Sequence, residues 1–182
     1  MNPTTKDFQV FNEMKEMFLE LGLPIVDEGH VDNYLFFASR MFIDTPSSEN
    51  DLSIGYETKA KTIRIVSRLF QPVTAEKQGD LFEVFNYINC KLANVRLNID
   101  PATQQIGLRG ELALFGDPLN RKHFKEFIVL FFAAALKFFP MILDFLNGYI
   151  KKEHIMNEVD AEIKSRQEEN QQSEEQVNCA KN

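Results

Sequence analysis

The sequence has no tryptophan, 2 cysteines, 3 histidines and 8 glycines in 182 residues. Each shortage removes a class of function. Cys90 and Cys179 lie far apart in the chain, so they make neither a disulfide framework nor metal-ligand spacing. That usage suits a reducing compartment and predicts a cytoplasmic protein. His30, His123 and His154 fall in separate segments, none with a second His or Cys at ligand spacing, so no metal is expected. The scattered glycines form no phosphate-binding loop and no dinucleotide fingerprint, and there is no Gly-x-Ser-x-Gly elbow. No cofactor is expected. Positive charge is also short: the formal net charge is −7, the wrong field for displacing counterions from phosphates, so nucleic acid is not an expected partner. The start, MNPTTKDFQVF, lacks the basic-then-apolar order of a secretory signal.

What is abundant is phenylalanine, at 17 residues against 4 tyrosines. Phe carries no polar atom and fills cores without needing a hydrogen-bond partner. Its densest run is FIVLFFAAAL from Phe127 to Leu136, continued as FFPMIL after Lys137. A spanning helix needs about 20 mainly apolar residues. Lys137, Pro140 and Asp144 interrupt this one, so a buried core helix is predicted and no membrane partner.

Apolar periodicity divides the chain. Phe8, Phe11, Phe18 and Leu21, widened by Val10, Met14 and Met17, predict a first helix from Thr5 to Leu21, stopped by Gly22 and Pro24. Tyr34–Ile43 reads as a strand, followed by a polar turn at Pro46–Asn50. Leu52–Thr58 and Thr62–Phe70 read as a hairpin around Lys59, Ala60 and Lys61. Leu81, Val84, Phe85, Ile88 and Leu92 stripe a second helix from about Ala75 or Asp80 to Ala93, with Asp80 as a plausible N-cap or first-turn acid. Val95–Asp100 and Ile106–Phe115 alternate strictly, as in a hairpin with one buried and one wet face. Asp117 and Pro118 then look like the cap and first residue of a third helix running to about Lys151, which Pro140 should kink or split. Ile155, Val159 and Ile163 form a thin stripe on a helical extension. After Ser165 almost nothing is apolar, which predicts disorder. The organisation expected is an α+β domain over residues 1–152 and an extension with an acidic polar tail over 153–182. Its core would be a five-stranded antiparallel sheet, in the order α-β-β-β-α-β-β-α, with helices on one face.

The segment Phe82–Leu114, FEVFNYINCKLANVRLNIDPATQQIGLRGELAL, resembles the YbjN-like bacterial family, described as candidate sensory transduction regulators. The resemblance rests on the paired asparagines Asn86 and Asn89, on the hairpin after them and on element order across roughly residues 5–150. It implies a fold similar to that of type III secretion chaperones, small dimers that hold a partner polypeptide without consuming it. It carries no catalytic residue.

Read from the residues alone, Asn86 and Asn89 share one side of the second helix, off its apolar stripe. An amide there suits a tether to the following hairpin, or contact with a partner. Glu13, Glu16 and Glu20 read as a wet helix face. Asp27, Glu28, His30 and Asp32 read as a solvated acidic turn without calcium-loop spacing. Cys90, inside the second helix, reads as a buried or half-buried inert thiol. Alternation places Arg64, Arg68, Arg96 and Arg109 on the open side of the sheet, with Val66, Phe70 and Glu111 among them. Arginine beside apolar groups suits a protein-binding surface, and solvated cross-strand pairs are the plainer alternative. Phe127, Phe131 and Phe132 lie where the third helix is apolar all round, and are candidates for a homodimer interface. The reading is a non-enzymatic protein-binding or regulatory module whose partner is another protein or peptide. The alternative is a small-molecule sensor with an apolar pocket between helix and sheet.

Overall fold

The computed structural model describes residues 3–42, 49–92, 94–115 and 118–179, and only the backbone of 40–42, 49–51, 70 and 166–179. The elements are α1 (Thr5–Glu20), β1 (Ile25–Val31), β2 (Tyr34–Phe42), β3 (Glu49–Glu57), β4 (Thr62–Pro72), α2 (Ala75–Asn89), β5 (Val95–Ile99), β6 (Gln105–Ala113), α3 (Arg121–Leu146) and α4 (Lys152–Cys179). The class is α+β, as the patterning implies. The strands form one antiparallel sheet in the order β1-β2-β3-β4-β6-β5.

The sheet has six strands rather than five, because β1 escapes the pattern. Its residues IVDEGHV are mostly exposed, so hydrophobic alternation does not mark it. Backbone pairing with β2 and a two-residue turn define it, with Asp32 at φ 52. Asp27, Glu28 and His30 therefore stand on an edge strand rather than in a loop. Charge on an edge blocks pairing with a further strand.

One face of the sheet is the core. Leu35, Phe37, Leu52, Ile54, Tyr56, Ile63, Ile65, Leu69, Val95, Leu97, Ile106, Leu108 and Leu112 point inward and are buried. α1 lays Val10, Phe11, Met14, Met17 and Phe18 on the β1–β2 side. Phe8 and Leu21, expected in that stripe, are exposed. α2 covers β5, and α3 crosses β4 and β6. Contact between α3 and the sheet is close because Gly110 lacks a side chain. A Cβ there would lie 2.9 Å from Phe127 and 3.0 Å from Phe131.

The helix ends correct several expectations. α2 starts at Ala75, the earlier of the two expected starts, with Thr74 at the N-cap position, and it ends at Asn89, short of Ala93; Asp80 is therefore interior and pairs with Lys152. Asn120 caps α3 by accepting from the His123 N–H at 3.0 Å, so α3 begins at Arg121. Of the expected Pro46–Asn50 turn, Glu49 and Asn50 instead begin β3, and the rest lies outside the described residues, as do the Asp117 cap and the side chain of Phe70. α3 passes through Pro140 unbroken, since the proline removes one amide donor while Phe138, Phe139 and Ile142 remain anchored in the core. It stops instead at Gly148, whose φ of +79 lets the Tyr149 N–H reach the Asp144 carbonyl at 2.8 Å. α4 then turns back over α2 and α3, burying Ile155 and Val159 with Ile163 beside them. Beyond Ser165, where disorder is expected, the backbone stays helical to Cys179. Glu, Gln and Arg carry good intrinsic helix propensity even without an apolar face to bury.

A candidate binding surface on the open face of the sheet

The outward side chains of β2 to β6 have no helix over them among the described residues. Strand register orders them into rows. Phe36, Gly55, Arg64 and Glu111 are successive partners, and so are Ser53, Val66, Arg109 and Arg96. Arg68, Gly107 and Asn98 follow in the next row. The four arginines predicted to share this face do share it. Arg68, Arg96 and Arg109 are exposed and Arg64 is half-buried.

The ion pairing is specific. Arg64 reaches Glu57 at 2.8 Å and its register partner Glu111 at 2.9 Å. Arg109 reaches the same Glu111 oxygen at 2.6 Å, along its own strand. The hydrogen bond from Arg109, joined by that from Arg64, holds the Glu111 carboxyl below the usual glutamate range. Arg68 and Arg96 have no ion pair among the described residues. Arg96 stands directly opposite Arg109, an arrangement of like charges that is unfavourable by itself.

At the β2 end the face turns aromatic. Tyr34 and Phe36 stack with centroids 6.5 Å apart. Each ring lies over a glycine of a neighbouring strand, Tyr34 over Gly55 and Phe36 over Gly29. Desolvation there pushes the Tyr34 phenol above its ordinary pKa. With Val66 between the aromatics and the arginines, the surface joins an apolar end to a cationic end.

Sequence comparison finds no matching family model and no matching curated protein. The chain is similar in fold to YbjN from E. coli. That crystal structure, of a candidate transcription regulator, aligns with a TM-score of 0.44 and 13% identity, covering 68% of this chain and 90% of that one. A likeness at that level concerns fold alone.

The remaining candidates separate. Asn89 closes the outer edge of the sheet: its amide donates to the Leu97 carbonyl at 2.9 Å and accepts from the Leu97 N–H at 2.8 Å. The side chain thus stands where another strand would pair. Asn86 is exposed and makes no such bond. Phe127 and Phe131 are buried against the sheet, which leaves them no surface for a second subunit, while Phe132 is half-buried. The helix period turns Val129, Leu130 and Leu136 outward instead, and these are exposed. Cys90 is exposed rather than buried, since α2 ends one residue before it. An apolar cavity of about 200 Å³ exists, lined by Ile88, Leu92, Leu130, Phe138, Val159 and Ile163 among others. It lies chiefly between α2, α3 and α4, with Val95 of β5 as its one sheet residue.

Sequence reasoning overlooked Asp7, which is buried beneath the β3–β4 turn. It accepts from Lys61 Nζ at 2.6 Å, from the Thr4 hydroxyl at 2.7 Å and from the Tyr56 hydroxyl at 3.3 Å. Burial pushes the carboxyl up, but Lys61 and Thr4 more than reverse that and hold it at about 2, below its ordinary 3.8. Thr4 followed by an acid three residues later was the available signal.

Proposed function

We propose that this chain is a non-enzymatic binding module that holds another protein on the open face of its sheet, in the cytoplasm. It is chaperone-like in leaving the partner chemically unchanged. The observation that carries this reading is the uncovered face itself: exposed arginines continuous with Val66, Phe36 and Tyr34. Arg and aromatic side chains dominate protein-binding hot spots. Among the described residues, the face holds carboxylates as ion-pair partners, in an arrangement suited to contact and not to proton transfer.

The test is affinity purification of the full chain from its native cell, beside a variant carrying Arg68→Glu and Arg96→Glu. Both residues are exposed, so the fold should survive. A stoichiometric protein recovered with the natural chain and lost with the variant supports the reading. Equal recovery from both rejects it.

The module acts as a homodimer through the outward stripe of α3, where Val129, Leu130 and Leu136 are about half exposed or more. Sedimentation should show a dimer that Leu130→Glu converts to monomer. A monomer throughout the micromolar range rejects the dimer. The sensor alternative is less well supported: the apolar cavity between α2, α3 and α4, about 200 Å³, falls below the roughly 300 Å³ at which small-molecule sites begin, and the larger hollow beside Leu112, Leu119 and His123 mixes polar groups with apolar ones.

A further inference from the structure

The chain contains 13 Lys and 7 Arg. Four of those arginines lie on the open sheet face, and among the described residues no lysine does. The choice matters chemically. A guanidinium presents a planar fork that matches a carboxylate, whereas an ammonium is a point charge. Among the described side chains of that face, four guanidiniums meet two carboxylates, Glu57 and Glu111, and both of those are already bonded to Arg64 or Arg109. Asp100, at the rim near Arg68, is occupied by the N–H groups of Ala102 and Thr103. The surplus positive charge sits at the β5–β6 end, within a molecule whose net charge is −7.

The geometry there is concave. Gly107 lies between Arg68 and Asn98 in register, and the Asn98 side chain covers it. Asn89, Asn94, Asn98, Arg96 and Arg109 line the hollow with Glu111. Arg96 and Arg109 oppose each other across it, and an anion held between them would relieve their repulsion. From β5 to β2 the face crosses five strands, about 19 Å at roughly 4.8 Å per strand. That is the span of about six extended residues.

We propose that the open face takes an extended, carboxylate-rich segment of the partner protein. Its acids are gripped by Arg96, Arg109 and Arg68, and its apolar residues rest on Val66, Phe36 and Tyr34. This rests on the open face being the docking surface. Nucleic acid fits less well: the surplus among the described side chains is only two charges, and the two aromatic rings are packed over glycines at the opposite end of the face from the arginine surplus.

The experiment is fluorescence anisotropy with the full chain and three labelled probes. They are a peptide of four Glu followed by two Phe, the same peptide with Gln for Glu, and a ten-nucleotide single-stranded DNA. The Glu peptide should bind at least tenfold tighter than the Gln peptide, and more weakly as salt rises. Arg96→Gln and Arg68→Gln should each weaken it about tenfold, the scale of one charge-assisted hydrogen bond. Arg96→Lys should fall between Gln and the natural residue, and Arg121→Gln on α3 should change nothing. Equal binding of the Glu and Gln peptides, both weakened by Val66→Glu, would overturn the acidic preference while leaving the docking face intact. Tighter binding of the DNA, or no binding of any probe at millimolar concentration, would overturn the proposal.

Discussion

Asp7 is the only acidic side chain buried among the described residues. It joins the first turn of α1 to Lys61 of the β3–β4 turn, 54 residues along the chain. Its folded pKa of about 2 lies below its ordinary 3.8. The stabilisation is therefore fully present above about pH 4 and is lost as pH falls toward 2. The full shift corresponds to about 2.5 kcal/mol. Lys61 is nearly half exposed, and solvent screening reduces the expectation to about 1–2 kcal/mol. Asp7→Asn should lower the urea midpoint at pH 6 and flatten its decline between pH 4 and 2. A variant with the natural acid sensitivity would show that another group controls that interval. The two asparagines make a sharper pair. Asn89→Ala strips both edge bonds from Leu97 and should cost about 1–3 kcal/mol, while Asn86→Ala should stay within about 0.5 kcal/mol. Similar losses from both in denaturant unfolding would contradict the assignment. Spacing put these residues on one side of a helix. Only the position of β5 distinguishes the one that reaches an edge from the one that meets water.

Strands and helices were readable to different degrees. Elements with an apolar period, such as β4, β6 and α2, could be placed from sequence. β1 could not, because it owes its conformation to pairing with β2 and carries no apolar stripe. In α3, periodicity failed for another reason: a helix apolar all round gives no direction. Gly110 supplies it by admitting Phe127 and Phe131 to the sheet. Gly110→Val should overpack that contact and cost about 1–3 kcal/mol, read from thermal unfolding. No change in melting temperature would mean the contact is looser than described. α4 is held by Ile155 and Val159 and by Lys152, which reaches Asp80 at 2.9 Å and Glu83 at 2.5 Å. Ile155→Asp should release it, so that limited proteolysis cuts at residues 147–151 where the natural chain resists. An unchanged digestion pattern would show that α4 docks by other means.

At the scale of the molecule, the sheet divides two kinds of surface. One face is covered by α1, α2 and α3, with α4 laid over α2 and α3, and the other carries arginines in a chain of net charge −7. Ending the chain at Lys151 would uncover Ile88, Leu92 and Phe138, which now lie under α4. The shortened protein should self-associate on size-exclusion chromatography and bind a hydrophobic dye. A well-behaved species of unchanged oligomeric state would show that α4 does not shield that groove. The sequence by itself determined the class of fold, most element boundaries and the side of the sheet on which the arginines stand. Those follow from periods of two and 3.6 residues, which neighbouring side chains carry. Tertiary structure alone decided which phenylalanines are sealed, which asparagine closes an edge, and that Asp7 leaves water for Lys61. Each of those depends on groups brought together by packing, and side-chain periodicity holds no record of a partner that far along the chain.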